Sequence, residues 1–510
     1  MATSDIKKGI LTSYGTFTVD ILAGILFTPF LIRSLGQSEY GVFSLMGAFI
    51  ASLAILDFGF GNAITRYVAQ YRTEKRKEQE SNFIAMCLVL YGFIACISFV
   101  VGGVFYFFLD QVYGSGLTAE ELRIAKAIYL MLLGNITVSF FIGAFNAYIQ
   151  AYEKFSMLNG ITIVRLLLRI SLLSLLLSWG FKSITVAAID TVLNVATGFV
   201  YVLYARSKLD MRIKLSQWDS KLLREVTRYS FIVFIGSIAD LMFWRIGLLV
   251  LGAVSGAKAV AVYAVGITLI SYFQYISGVI NGKLFPRVTQ MVVEGADSRA
   301  LTVFSSRVGR VQLMLLGCIL MGFQLYGQQF IHLWIGPEYA LSWWIGMILM
   351  GVMLVQALQY PCVMMLRAKK MDGTRTMYQL ILMVVGAVLG VLLVDAYGVI
   401  GMTAGLALAI VALNWIVVNV HYASRLGYDL VFFVMQLSKL LPSMAAAYAA
   451  GFLIHLIPGI GWGAFCMKCI LFAASYAALV WYWGANASEK AIISQIRQSL
   501  RPARAIPEQA

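Results

Sequence analysis

The chain has 510 residues, of which 60% are hydrophobic and only 12% are charged, whereas a soluble domain carries about 25% charged residues. The mean hydropathy is +0.83 and the formal net charge is +15. This composition excludes a soluble enzyme or a soluble binding domain as the main body of the chain, and it indicates a protein most of whose surface faces lipid.

Apolar segments long enough to cross a bilayer recur from one end of the sequence to the other, and each crossing needs about 20 residues. We therefore predict an all-α polytopic membrane protein with about fourteen transmembrane helices, the first of them retained rather than removed as a signal. The predicted helices lie near residues 8–34, 41–69, 82–109, 123–150, 155–179, 184–205, 229–254, 259–285, 305–335, 340–366, 374–395, 399–421, 432–457 and 461–484. Two polar segments, 214–228 and 488–500, are predicted to form helices on the membrane surface.

The distribution of basic residues favours one orientation. If both termini lie in the cytoplasm, most of the 39 Lys and Arg residues fall on cytoplasmic segments such as 72–77 and 206–228. The positive-inside rule therefore predicts cytoplasmic termini. The basic loops that hold this topology lie near anionic lipid and carry most of the net charge. We therefore expect no nucleic-acid partner.

A weak internal repeat is also present. Aligning 237–256 with 17–36 places Asp240 on Asp20 and Gly256 on Gly36, and predicted helices seven to twelve then follow the order of helices one to six. This pattern predicts two six-helix bundles related by a pseudo-two-fold axis along the membrane normal, with a site between them near mid-membrane. The predicted domains are an N-terminal six-helix lobe (1–206), a cytoplasmic connector (207–228), a C-terminal six-helix lobe (229–428), two additional transmembrane helices (429–484) and a cytoplasmic tail (485–510).

Charged side chains inside the predicted spans are costly in a membrane and usually face a cavity or a partner. Arginine suits phosphate because its planar fork forms two parallel hydrogen bonds. A carboxylate shielded from water can exchange a proton or bind a sodium ion. We therefore assign the cations to an anionic substrate and the acids to ion coupling. The substrate-binding candidates are Arg66, Arg165, Arg169, Arg245 and Lys283, and the ion-coupling candidates are Asp20, Asp57, Asp190 and Asp240.

A purely structural role is the alternative for each of these charges. Arg165 and Arg169 are four residues apart, so that they share one helix face. From that face Arg169 can pair with Asp190 on the next predicted helix. Such pairs would brace a bundle without contacting any substrate.

The other candidates have structural alternatives of their own. Arg66 and Lys283 lie close enough to their helix ends to reach the membrane surface. Asp240 can neutralise Arg245, although a separation of five residues is poor spacing for a direct contact. These alternatives stay open on the sequence alone.

Motifs for catalysis are missing from the sequence. It has no P-loop, its three histidines (His332, His421 and His455) are scattered, and Cys466 and Cys469 sit in an apolar segment with no second pair. We therefore expect no enzyme activity, no cofactor and no metal site.

Two neighbouring motifs carry a family resemblance. "RSLGQSEYGVFSL" (33–45) is followed by "LDFGFGNAITRYVAQY" (56–71). This pair resembles the O-antigen and exopolysaccharide flippases of the multidrug/oligosaccharidyl-lipid/polysaccharide exporter superfamily. Asp57 and Arg66 are the positions that match the motif. The aligned stretch of the second half, "SGVING" (277–282), lacks the acid, so the two halves are expected to differ in function.

The resemblance implies a transporter in a bacterial inner membrane. It would turn an undecaprenyl-pyrophosphate-linked oligosaccharide from the cytoplasmic to the periplasmic leaflet by alternating access, coupled to a proton or sodium gradient. Expected partners are this substrate, the coupling ion, membrane lipids and the polysaccharide polymerase machinery.

Two rival functions are kept beside this one. The first is a cation-coupled multidrug efflux antiporter of the same superfamily. The second is a membrane scaffold or synthase subunit without transport, which predicts that every intramembrane charge is paired and that no cavity exists.

Overall fold

The computed structural model describes residues 2–369, 371–487 and 489–490, and this part of the chain consists of helices with no β-strand. The all-helical class predicted from the sequence is confirmed. Twelve segments of the described residues are long and apolar enough to cross a membrane. The protein is therefore a multi-pass membrane protein.

The α-helices follow one another with short connections. The first nine are α1 (Ala2–Leu35), α2 (Gln37–Leu53), α3 (Phe60–Thr73), α4 (Lys77–Tyr106), α5 (Leu109–Tyr113), α6 (Ala119–Ala151), α7 (Phe155–Ser178), α8 (Ser183–Lys208) and α9 (Ser220–Val254). The next nine are α10 (Gly256–Val293), α11 (Ser298–Trp334), α12 (Ala340–Leu358), α13 (Tyr360–Ala368), α14 (Asp372–Val411), α15 (Val418–Leu426), α16 (Leu430–Ser438), α17 (Leu441–His455) and α18 (Trp462–Leu479).

The count of fourteen predicted spans differs from the twelve segments for two reasons. Predicted helices 374–395 and 399–421 lie in one continuous segment, Asp372–Leu426, in which Gly398 has a φ of 55° and breaks the helical path. The predicted first span coincides with α1, which is not among the twelve segments.

The helices form two compact units. The first comprises residues 1–268 and 376–409, and the second comprises 269–375 and 410–510. The lobe boundaries predicted from the repeat, at 206, 229 and 428, stay a prediction.

The second span of the first unit is interrupted, whereas the sequence predicts one helix over 41–69. α2 ends at Leu53, a 3₁₀ turn covers Ala54–Asp57, and α3 begins at Phe60. Between them the backbone is left-handed, with φ of 51° at Phe58 and 73° at Gly59. A glycine adopts this conformation without steric cost, which explains why the helix can stop here. The prediction of an unbroken helix is therefore wrong at the LDFG motif.

The segment between α8 and α9 also differs from the prediction. Residues 210–219 form no helix, and α9 begins after Asp219, whose carboxylate accepts hydrogen bonds from the N–H groups of Lys221 and Leu222 at 3.0 Å each. An aspartate in this position caps a helix by satisfying its free N–H groups. The predicted surface helix 214–228 is thus wrong for 214–219, and 220–228 is the beginning of α9.

The extended segment is fixed by one side chain of α4. The carbonyl oxygen of the Asn82 side chain accepts from the N–H groups of Ser216 (2.8 Å) and Gln217 (3.0 Å), and its amide donates to the carbonyl of Gln217 (2.8 Å). The connector is therefore attached to the first unit.

In the second unit, a buried ion pair holds the end of the described chain. Arg310 of α11 donates to both carboxylate oxygens of Glu489, at 2.6 and 3.1 Å, and also to the carbonyls of Gln436 and Gly484. Arg310 is only 4% exposed, and such a pair is costly to break from one side. Apart from 489 and 490, the predicted tail helix 488–500 lies outside the described residues.

The left-handed turn gives a first prediction. Gly59→Ala places a Cβ where φ is 73° and is expected to destabilise the protein by about 1–2 kcal/mol. Gly61→Ala is the matched control, because Gly61 lies inside α3 with nothing within 4 Å of an added Cβ. It is expected to be neutral or stabilising by up to about 1 kcal/mol. Unfolding of the purified variants in detergent measures both, and equal effects at the two positions would contradict the role of Gly59.

Candidate functional site

The interrupted span lines a cavity with mainly polar walls, here called the polar cavity. Its volume is about 450 Å³, and α3, α6, α7 and α8 supply its walls. The polar lining residues include Asp57, Asn62, Asn146, Gln150, Arg165 and Thr197. A water-accessible space of this size inside membrane-spanning helices is large enough for part of a polar solute.

A second cavity of about 520 Å³ adjoins the first and is called the Trp244 cavity. It lies between the α2–α3 interruption and α9, where Asp240, Trp244 and Arg245 face it. Asp57 and Asn62 line both cavities. The residues at the helix break therefore form the boundary between the two spaces.

Asp57 is held in place by its neighbours. Its Oδ1 accepts a hydrogen bond from the Tyr91 hydroxyl of α4 at 2.7 Å. The Tyr91 ring is buried and packs edge-on against Phe60, the first residue of α3. The carboxylate also accepts a hydrogen bond from the backbone of Gly59, so it has a defined position at the boundary of the two cavities.

The predicted pair of Arg169 and Asp190 is confirmed. The Nε atom of Arg169 lies 2.5 Å from Oδ1 of Asp190, and one terminal nitrogen lies 3.0 Å from Oδ2. This is a bidentate ion pair, in which Asp190 compensates the charge of Arg169. Its assignment to substrate, and that of Asp190 to ion coupling, stay predictions.

Arg165 lies one helical turn before Arg169 on the same helix, and its surroundings are different. It lines the polar cavity, and it forms no hydrogen bond or ion pair with the residues that the structure describes. A cation inside a membrane segment without an acidic partner is costly. Arg165 is therefore the cation of this helix that is available to an anionic ligand.

Neutral amides are a part of the site that the charge-based sequence reasoning missed. Nδ2 of Asn194 donates to Oδ1 of Asn135 and to the hydroxyl of Ser139, both at 2.7 Å. Asn146 and Gln150 form a further amide pair at 2.5 Å. The sequence does carry a signal for them, because each of these amide residues interrupts an apolar segment, although it is weaker than the signal of a charged residue.

The remaining predicted residues are distributed unevenly. Asp240 and Arg245 line the Trp244 cavity, and Asp240 also accepts from the amide of Gln379 at 3.2 Å. Arg66 is exposed near the ring of Tyr67 and lines none of the described cavities.

The last two candidates, Asp20 and Lys283, are not among the residues that line the described cavities. Asp20 is exposed on α1 and lines none of them, so that only Asp240 of the predicted repeat pair reaches a cavity. The side chain of Lys283 lies outside the described residues.

Known proteins are similar to this chain in sequence. The profile of the family described as "Polysaccharide biosynthesis protein" matches residues 6–292. The chain is 23% identical over 427 residues to the "Uncharacterized membrane protein EpsK" of Bacillus subtilis, covering 81% of this chain and 82% of that protein. It is 22% identical over 429 residues to the "Probable low-salt glycan biosynthesis flippase Agl15" of Haloferax volcanii, covering 83% and 84%.

A solved structure shows the same fold. The lipid II flippase MurJ in an inward closed conformation superposes with a TM-score of 0.70, covering 96% of this chain and all of that one, at 14% sequence identity. At this identity the likeness concerns the fold alone.

The ion pair of α7 and α8 gives the second prediction. Arg169→Gln or Asp190→Asn alone leaves one charge uncompensated and is expected to cost about 1.5–3 kcal/mol of stability. The double variant removes both charges and is expected to cost less than either single change. The same exchanges at the exposed pair of Glu120 and Arg123 are expected to leave unfolding in detergent unchanged. If the single changes at Arg169 and Asp190 add up in the double variant, the two charges act independently.

Proposed function

Because the chain belongs to the family of polysaccharide biosynthesis proteins, we propose that it is a flippase for a lipid-linked oligosaccharide. In this proposal it turns an undecaprenyl-pyrophosphate-linked oligosaccharide from the cytoplasmic to the periplasmic leaflet of an inner membrane, with both termini in the cytoplasm. The observation that carries the proposal is the polar cavity inside membrane-spanning helices, with Arg165 on its wall.

The chemistry of the cavity fits the two polar parts of such a substrate. A guanidinium group forms two parallel hydrogen bonds to phosphate oxygens and is less strongly hydrated than an ammonium group. Asn and Gln side chains offer donors and acceptors together, as sugar hydroxyls require. Arg165 would bind the pyrophosphate while the amides of Asn62, Asn146 and Gln150 contact the glycan.

Ion coupling is assigned to the acids at the two cavities. Asp57 borders both spaces and has only one described side-chain donor, Tyr91, so that it can take a proton or a sodium ion. Asp240 on the Trp244 cavity is the second coupling candidate. Binding of an ion at Asp57 would change the charge next to the interrupted helix, and interrupted helices form the substrate and ion sites of many transporters.

The drug-antiporter alternative is supported by one specific observation. Asp240 and Trp244 lie on one wall, and an acid beside an indole ring is a combination that binds organic cations. The presence of Arg245 on the same wall opposes a cationic ligand. The scaffold hypothesis predicts no cavity, and the two cavities argue against it.

Arg165 gives the third prediction. Purified protein in liposomes is expected to expose an undecaprenyl-pyrophosphate-linked oligosaccharide to an impermeant glycosidase. Arg165→Ala is expected to lower the initial rate by about 10–100-fold, which corresponds to one lost charge-assisted contact of roughly 1.5–3 kcal/mol. Arg165→Lys is expected to keep part of the rate.

The control is Arg123→Ala, at an exposed position where Arg123 pairs with Glu120 at 2.7 Å. It is expected to flip the substrate at the wild-type rate. An unchanged rate for Arg165→Ala would reject the role of Arg165. Transport of a cationic dye without flipping by the wild-type protein would favour the antiporter.

Asp57 gives the fourth prediction. Asp57→Asn keeps an acceptor for the Tyr91 hydroxyl but cannot ionise, so the rate is expected to lose its response to an imposed proton or sodium gradient. Asp110→Asn, which removes a surface contact to Lys126, is expected to keep the response. The measurement is the flipping rate with and without each gradient. A full response in Asp57→Asn would assign coupling elsewhere.

A further inference from the structure

A third cavity of about 450 Å³ lies between α7 and α8 and is called the apolar groove. Its walls are almost entirely hydrocarbon and include Gly160, Val164, Leu168, Leu193 and Val200. Val164 is 56% exposed, Leu168 48% and Val200 42%. Because both helices are long and apolar enough to span a membrane, these exposed side chains face lipid, and the groove opens towards the bilayer interior.

The groove lies next to the polar cavity and shares two wall residues with it. Arg165 and Thr197 line both spaces, whereas the other groove residues belong to the groove alone. Among the residues that the structure describes on the walls of the groove, Arg165 is the one with a charged side chain, and it also lines the polar cavity. An anionic group at this point would compensate Arg165, with apolar space on one side and polar space on the other.

We propose that the apolar groove holds the polyisoprenyl chain of the lipid-linked substrate, with the phosphate at Arg165 and the glycan in the polar cavity. The inference rests on the proposed function and adds the route by which the chain leaves the protein, between α7 and α8. The groove residues of α7 extend from Met157 to Leu168, about 16 Å at 1.5 Å per residue. Only the first part of a long polyisoprenyl chain fits this length, and the rest lies in the bilayer.

A lipid-linked glycan suits the groove better than an ordinary phospholipid does. Both have an anionic phosphate and an apolar chain, so both could meet Arg165. The glycan supplies many hydroxyl groups for the amides of Asn146 and Gln150 beyond Arg165, whereas a phospholipid head group such as that of phosphatidylglycerol supplies few. The adjacency of the two spaces at Arg165 therefore favours a molecule that has an apolar, an anionic and a polar part in this order.

Gly160 allows a direct test. Nothing lies within 4 Å of a Cβ added there, so Gly160→Phe projects a ring into the groove without a clash at its attachment point. Gly103→Phe is the matched control, because Gly103 has the same free space on α4 and does not line the groove. The probes are undecaprenyl-pyrophosphoryl-N-acetylglucosamine and an analogue with the same head group and a single isoprene unit, assayed in liposomes. One isoprene unit is too short to reach Gly160 from Arg165, which lies about 7.5 Å away along α7.

Gly160→Phe is expected to lower the flipping rate of the long-chain probe by about tenfold and to change that of the short-chain probe by less than about twofold. Gly103→Phe is expected to change neither rate. If Gly160→Phe affects both probes equally, or neither, the groove assignment is wrong even though the wild-type protein flips both. If the wild-type protein flips neither probe, the proposed function itself has failed.

A second measurement does not depend on the folding of Gly160→Phe. A photoreactive residue at Leu168 is expected to label the undecaprenyl probe, and excess unlabelled probe is expected to suppress the labelling. Arg165→Ala is expected to weaken this labelling at least about tenfold. Equal labelling of phosphatidylglycerol that the probe does not displace would show an ordinary lipid site and overturn the inference.

Discussion

A polypeptide in a membrane can leave the helical conformation only where its freed backbone groups meet protein or water. The second span of this chain does so between Ala54 and Gly59, at the LDFG motif. The interruption adjoins two cavities, and Asp57 and Asn62 line both of them. The break therefore lies beside the polar space of the first unit, and it places a carboxylate at the boundary between the two cavities.

The distribution of charge around that space follows from the cost of ions in an apolar medium. Arg169 is compensated by Asp190 within the protein, so it adds little net charge to the cavity. Arg165, one turn away, has no such partner among the described residues and lines the polar cavity instead. An uncompensated arginine at mid-membrane costs roughly 2.5–3.5 kcal/mol on insertion scales. An arginine at this position is understandable if an anionic ligand compensates its charge during transport.

Hydropathy alone located the transmembrane helices, because a span of about 20 apolar residues leaves few alternatives. The pair of Arg169 and Asp190 was also predictable, since four-residue spacing puts Arg165 and Arg169 on one face and the next helix is adjacent in the chain. The helix break was not predictable in this way, because hydropathy carries no information about φ at Phe58, and the two glycines of "LDFGFG" fit close helix packing as well as a break.

The amide lining was missed for a related reason. Asn146 and Asn194 are uncharged, and their positions in the polar cavity depend on how α6 and α8 are rotated, which a single sequence does not reveal. The predicted equivalence of Asp20 and Asp240 is a second case in which the sequence does not show which residue faces a cavity. The alignment gave both residues one register, but only Asp240 faces a described cavity. Sequence spacing assigns residues to helix faces, whereas packing decides which face is turned to the cavity.

The three spaces of the first unit have a fixed order. The Trp244 cavity meets the polar cavity at Asp57, and the polar cavity meets the apolar groove at Arg165. In the proposed function, the ion and the phosphate would therefore bind on opposite sides of the same polar space. The coupling of the two would act through the electrostatics of that space, since protonating Asp57 or binding sodium there removes a negative charge from the site of an anionic substrate. In this proposal an ion-loaded Asp57 would favour substrate binding at Arg165 and an ion-free Asp57 would oppose it. Such a linkage is reciprocal, so the bound substrate must in turn strengthen the binding of the ion.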